Sequence, residues 1–218
     1  MEGIVIRMNP QLLIFDLDGT LIDSRADLAE GINHMRMHYE LSPLPFETVG
    51  GYIGNGVRLL VERSLQGAAV DFEEALQVYI NYYYSHLTVH TTLYEGVFEG
   101  IPRLASAGHK LALLTNKPGD PSRDILKHFG LAGYFNIILG GGDIDTLKPE
   151  PGGVFKCMET TAMELSCTWM IGDHYTDLAA AENAGAKSAF VHYGFGEERG
   201  HKPIVYFASF PELVGYFV

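Results

Sequence analysis

The residues best placed to do chemistry are Asp16 and Asp18, carried in the stretch LLIFDLDGTLIDS from Leu12 to Ser24. Four apolar residues, Leu12 to Phe15, run straight into the two acids, and Gly19 and Thr20 follow. Carboxylates crowded at one point repel each other. They make sense if one holds a cation or is a nucleophile and the other carries a proton. A short apolar run bounded by turn residues reads as a buried strand of a parallel sheet, and such sheets bind ligands beyond the carboxyl ends of their strands. A turn whose aspartates cap local backbone is the plain alternative. A calcium loop is another, but its glycine belongs at position six after the first acid and here stands at position four.

Three later stretches have the same form. The apolar run Leu111 to Leu114 ends in Thr115, Asn116 and Lys117, a hydroxyl and backbone amides suited to a phosphoryl group's oxygens, or simply a helix entry. The run Phe135 to Leu139 leads into Gly140-Gly141-Gly142-Asp143 and then Lys148-Pro149-Glu150-Pro151. The prolines stiffen the backbone behind Lys148, which then offers a fixed point charge. The triple glycine lacks the GxGxxG spacing, so a dinucleotide site is discounted. Trp169 to Ile171 ends in Gly172-Asp173-His174-Tyr175-Thr176-Asp177, whose two acids make a magnesium platform or a helix cap. Each stretch has an ordinary reading alone; four in this order point to one phosphoryl site.

The elements that must position these groups follow from periodicity. Ser24 caps a helix through Glu40, a turn rich in Pro and Gly covers Ser42 to Gly56, and helices Val57 to Leu65 and Phe72 to His86 follow. From Val97 the chain alternates: helix to Ala107, strand Lys110–Thr115, helix Pro121–Phe129, strand Phe135–Leu139, helix Gly153–Leu165, strand Thr168–Ile171, helix Thr176–Ala184 and strand Ser188–Tyr193. A strand near Ile204–Phe207 and a helix from Pro211 close it. This is an α/β chain with a doubly wound parallel sheet. Residues 1–22 and 93–218 form its core, and 23–92 an inserted helical domain. The 218 residues carry 27 acidic and 15 basic side chains, a net charge of −12. That balance disfavours nucleic acid or an anionic membrane as partner, and an anionic substrate needs local cations. The N-terminus has neither a signal peptide nor a membrane span, and Cys157 and Cys167 fit no zinc or redox motif, so a cytoplasmic location is expected.

On these residues the chain resembles the haloacid dehalogenase-like superfamily, over nearly its whole length. The four motifs match as Asp16-Leu17-Asp18-Gly19-Thr20, Thr115-Asn116, Lys148-Pro149 and Gly172-Asp173 with Asp177. Ile53-Gly54-Asn55-Gly56 followed by Leu59 to Arg63 is similar to the cap loop of the phosphoglycolate phosphatases, as are Asp16 to Leu28 and Tyr193-Gly194-Phe195-Gly196. The resemblance implies a Rossmann-like core with a helical cap and a magnesium-dependent phosphate monoester hydrolase. Asp16 is then the nucleophile that forms an aspartyl-phosphate, and Asp18 the general acid and base. Thr115, Asn116 through its amide, and Lys148 hold the phosphoryl oxygens. Asp16, the Asp18 backbone carbonyl, Asp173 and Asp177 bind Mg²⁺, and Gly54, Asn55 and Arg58 meet the substrate.

An acid at Asp18 argues against the dehalogenase branch. The absence of lysine from Ser24 to Thr92 argues against Schiff-base phosphonate hydrolysis. Phosphoglycolate is the leading substrate; a sugar-phosphate mutase, or a phosphatase for pyrophosphate, nucleotides or sugar phosphates, stays open. A signalling receiver is a third class, disfavoured because its phosphoacceptor is not on the first strand. His34 and His38, like His86 and His90, have zinc spacing but no intervening metalloprotease glutamate, and are read as surface or cap histidines. Tyr79, Tyr82, Tyr83 and Tyr84 crowd one helix, as cap packing first and a dimer contact second. The expected partner is a small phosphorylated metabolite, with the protein a monomer or homodimer.

Overall fold

The structure, a computed structural model, describes residues 9–218. The reading of the first eight residues, as free of a leader and as part of the core, lies outside that span. Six strands form one parallel sheet: β1 (Leu12–Phe15), β4 (Lys110–Pro118), β5 (Ile137–Gly141), β6 (Thr168–Gly172), β7 (Lys187–Val191) and β8 (Val205–Phe207). Their spatial order is β5-β4-β1-β6-β7-β8. The chain winds outward from β1 through β4 to β5, then returns to the other side of β1 to lay down β6, β7 and β8. Strand order therefore reverses beside β1, and ligands of such sheets bind at that switch point.

Alternation along β1 explains the layers. Leu13 and Phe15 face a core shared with α5 (Val97–Ser106), α6 (Gly119–His128) and α9 (Phe210–Phe217). Leu12 and Ile14 face the opposite core, with α7 (Gly152–Thr161) and α8 (Tyr175–Ala184). All four β1 side chains are fully buried. Each such residue contributes roughly 1.5–3 kcal/mol of burial, which anchors the strand whose next residue is Asp16.

A third apolar cluster belongs to the helices between β2 (Ile22–Asp23) and β3 (Thr92–Leu93), which pair antiparallel. These are α1 (Arg25–His38), α2 (Phe46–Gly50), α3 (Val57–Leu65) and α4 (Phe72–Tyr84). Gly31 lets α1 and α4 approach, since a Cβ there would stand 3.0 Å from the Tyr79 ring. Fully buried Asp27 on α1 accepts hydrogen bonds from the backbone amides of His90 and Thr91 and from the Thr91 hydroxyl, at 2.7–3.1 Å. It ties the entry of the helical block to its exit, next to the β2–β3 pair.

Several boundaries differ from the sequence reading. α1 stops at His38, before Glu40, whose φ of 56° is left-handed. The Ser42–Gly56 turn contains the short helix α2, begun at Pro45 and ended near Gly50-Gly51. α7 ends at Thr161 because Ala162 turns left-handed, and Leu165–Cys167 is a separate 3₁₀ turn. β4 runs on past Thr115 through Asn116 and Lys117 to Pro118. Its register with β5 breaks between Leu114 and Pro118, an irregularity of the kind that re-aims side chains beside a site.

The triple glycine has a packing cause. A Cβ on Gly140 would stand 2.6 Å from both the Gly119 Cα and the Lys117 carbonyl oxygen, which are backbone atoms with little freedom to move. Gly140→Ala is expected to lower stability by about 1–3 kcal/mol, read as a lower urea midpoint with an unchanged m-value.

Candidate active site

The four strand-end motifs meet at the carboxyl edge of the sheet. Carboxylate oxygens of Asp16, Asp173 and Asp177 lie within 4.8 Å of one another, and all three residues are buried. Lys148 Nζ stands 2.8 Å from Asp16 Oδ1 and 2.5 Å from Asp177 Oδ1. The contact with Asp177 is a directed hydrogen bond. That with Asp16 is an ion pair whose angle leaves Asp16 Oδ1 without a hydrogen-bond donor.

Glycines admit the acids so closely. A Cβ on Gly19 would fall 2.0 Å from Asp173 Oδ2, one on Gly172 2.0 Å from Asp177 Oδ2, and one on Gly194 2.4 Å from Asp173 Cβ. Gly19 also holds a φ of 85°, open to glycine at little cost. Asp173 Oδ2 accepts the amides of Phe195 and Gly196 at 2.9 and 2.8 Å. Asp177 serves twice: Oδ2 accepts the His174 amide in a capping box that starts α8, while Oδ1 meets Lys148. The helix cap and the platform read as alternatives in the sequence are thus compatible in one residue.

Burial, then the neighbouring carboxylates of Asp177 and Asp16, push Asp173 well above the usual carboxylate range. Burial also raises Asp177 against the opposing effect of Lys148. Burial alone would lower Lys148, but Asp16 and Asp177 outweigh it and hold the ammonium charged. Both ends of the Lys148–Asp177 pair are therefore raised. Three carboxylates share one ammonium, and a single lysine cannot offset their desolvation. The cluster is two positive charges short of neutrality and offers hard oxygen donors, one of them without a hydrogen-bond donor, so the residues present fit a divalent cation such as Mg²⁺.

The side chain of Asn116 positions Lys148. Its Oδ1 accepts the Lys148 amide at 2.8 Å and its Nδ2 donates to the Lys148 carbonyl at 2.9 Å. The same Nδ2 reaches the Gly54 carbonyl at 3.0 Å, so it also joins the α2–α3 loop to the sheet. Asn55 extends that junction, donating to the Tyr175 hydroxyl at 2.8 Å while Arg63 donates to its Oδ1 at 3.0 Å. Gly54 packs under the His174 ring, where a Cβ would come within 2.8 Å. Burial lowers His174 to about 4, so the imidazole is neutral near pH 7. The helical block thus rests against the sheet's edge, with a cleft between them lined by Asp16, Asp18, Thr115 and Asn116.

The family model for haloacid dehalogenase-like hydrolases matches residues 13–191, spanning β1 to β7 and every residue of this cluster. The chain belongs to that family. A phosphoglycolate phosphatase of Psychrobacter arcticus is 37% identical over 97% of each chain. One of Colwellia psychrerythraea is 33% identical over 94% of this chain and 95% of its own. Among solved structures, a predicted phosphoglycolate phosphatase from Haemophilus somnus 129pt has a TM-score of 0.91 at 28% identity, covering 96% of this chain and 98% of its own.

Two expectations need correction in this haloacid dehalogenase-like hydrolase. Arg58 does not face the cleft: it lies exposed over the Phe72 ring and pairs with Glu73 on the outer surface of the helical block. Its position after Gly56 suggested a substrate contact, but the first turn of α3 points it away. Ser24 precedes α1 yet makes no capping bond; its hydroxyl donates to Asp18 instead. One residue was passed over. Lys117, a strand-end neighbour of Thr115 and Asn116 in the sequence, places its Nζ 3.1 and 3.2 Å from the two Asp18 oxygens. A lysine beside Thr115-Asn116, one step past a motif, was the available signal. Tyr79, Tyr83 and Tyr84 line the cleft as well as packing α4. His34, Tyr82 and His86 form a stack with spacings of 4.0 and 4.1 Å, not a zinc site.

The clamp gives a test of position against contact. Asn116→Ala removes both bonds to the Lys148 backbone and is expected to lower kcat/KM by about 10²-fold, the scale of misplacing a charged group by about an ångström. Arg58→Ala, by contrast, is expected to leave kcat/KM unchanged in the same assay.

Proposed function

We propose that the protein is a magnesium-dependent phosphate monoester hydrolase that works through a phosphorylated Asp16, with phosphoglycolate as its substrate. The observation that carries this reading is the pairing of two aspartates on one turn with two different lysines: Asp16 beside Lys148, and Asp18 beside Lys117. Equivalent acids in equivalent settings would compete for one role; these two sit in separate environments, as a nucleophile and a proton carrier require. The names of the relatives favour phosphoglycolate among the possible esters.

In the first step an Asp16 oxygen attacks phosphorus, the bond to the ester oxygen breaks, and Asp18 delivers a proton to that oxygen. In the second step Asp18 takes a proton from water, whose oxygen displaces Asp16 from phosphorus and frees orthophosphate. The Thr115 hydroxyl and the Asn116 amide hold the peripheral oxygens, and Lys148 offsets their charge. Asp16, the Asp18 backbone carbonyl, Asp173 and Asp177 would hold Mg²⁺, which neutralises phosphoryl charge when bound. Residues 23–92 act as a cap over a core of 1–22 and 93–218, and its Gly54-Asn55 loop keeps bulk water from the reacting atoms. A cytoplasmic enzyme for a small metabolite, with no nucleic-acid or membrane partner, is the setting this implies. Among the described residues no helix is long and apolar enough to cross a membrane.

Two measurements test the chemistry. Asp16→Asn is expected to lower phosphate release by at least ~10³-fold while the protein stays folded, and an unaltered rate would exclude Asp16 as nucleophile. Excess chelator is expected to abolish turnover and added magnesium to restore it; full activity in chelator would exclude the metal.

A further inference from the structure

We propose that Lys117 and Tyr83 form a subsite for a carboxylate on the leaving group, so that this hydrolase selects short phosphorylated acids over esters of neutral alcohols. The inference rests on the phosphatase reading above and adds the means of substrate choice.

Lys117 ends the polar run of β4 with a side chain only 3% exposed. A buried ammonium needs compensation, and among the described residues its partners are the Asp18 carboxylate and the face of the Tyr83 ring, 4.8 Å from Nζ. Asp18 holds the Ser24 hydroxyl as well, so it does not depend on Lys117 alone for a donor. The Tyr83 hydroxyl is buried with no hydrogen-bond partner, although Tyr83 lines the same cleft. An unmet phenol and a half-committed ammonium at one wall are the donors an anionic group would take.

The cap side of the cleft offers such a group no charged partner, only the Tyr79 and Tyr84 phenols and the backbone of Gly54 and Gly56 among the apolar side chains of Leu28, Ile53, Val57 and Leu60. The cap's four arginines are committed elsewhere: Arg25 to Asp23, Arg36 to the Ser42 and Ser64 carbonyls, Arg58 to Glu73, and Arg63 to Asn55 and Tyr52. Lys148 is held on the phosphoryl side by Asp16 and Asp177. That leaves Lys117, among the described residues, as the cation on the side from which Asp18 protonates the departing oxygen. A carboxylate on the carbon next to the ester carbon lies within reach of that point, and the sugar hydroxyls of a larger ester would meet apolar walls instead.

The test is a matched pair of substrates, phosphoglycolate and 2-hydroxyethyl phosphate, which share a skeleton and differ in the carboxylate. The native enzyme is expected to prefer phosphoglycolate in kcat/KM. Lys117→Met slows both esters, since Asp18 loses a partner. Its ratio of kcat/KM values, acid over alcohol, is expected to fall at least about tenfold further, chiefly through KM. Lys117→Arg restores most of the ratio, and Tyr83→Phe lowers it in the same direction by a smaller factor. Equal losses on both esters, or a native ratio near one, would overturn the subsite and leave the phosphatase standing. Absence of phosphate release from either ester would overturn the phosphatase reading itself.

Discussion

Negative charge forced together away from water is the constraint from which the rest of this molecule follows. Two acid groups 4 Å apart repel by about 4 kcal/mol even at an effective dielectric of about 20. Asp16, Asp173 and Asp177 nonetheless converge at the sheet's edge. What allows it is rigid placement: strands buried on both faces deliver Asp16 and Asp173, and a helix cap fixes Asp177. Lys148 meets part of the charge, and its backbone is in turn gripped by Asn116.

Glycine is the other half of that placement. At Gly19, Gly172 and Gly194 a side chain would occupy the volume that the carboxylates now fill. The turn after β1 is thus shaped by Asp173, which follows β6 far along the chain, and Gly54 is shaped in the same way by the His174 ring. Across the junction between helical block and sheet, Asn116, Asn55 and Tyr175 supply neutral hydrogen bonds, and the Lys117 ammonium faces the Tyr83 ring.

Family, sheet and cluster were legible because each motif is a short apolar run followed by chemistry. The alternation of helix and strand made a parallel sheet the natural arrangement, and sheets of that kind gather their strand ends on one side. Element ends were less legible. Glu40 and Ala162 take left-handed backbone, which their side chains do not announce, and α2 hid in a stretch rich in proline and glycine. Arg58 was misplaced because its distance from Gly56 along the chain says nothing about the direction in which α3 turns it.

Sequence alone determined which groups are present and in what order: four strand ends bearing Asp16 and Asp18, Thr115 and Asn116, Lys148, and Asp173 with Asp177, together with a helical stretch from Ser24 to Thr92 free of lysine. Those follow from residue type and local period, which are properties of neighbours. Only the tertiary structure decided that Asn116 clamps Lys148, that Ser24 serves Asp18 instead of its helix, that Gly140 makes room for backbone, and that Lys117 faces Asp18. Except for Ser24 with Asp18, those contacts join stretches far apart in the chain, and their direction depends on packing that no local pattern encodes.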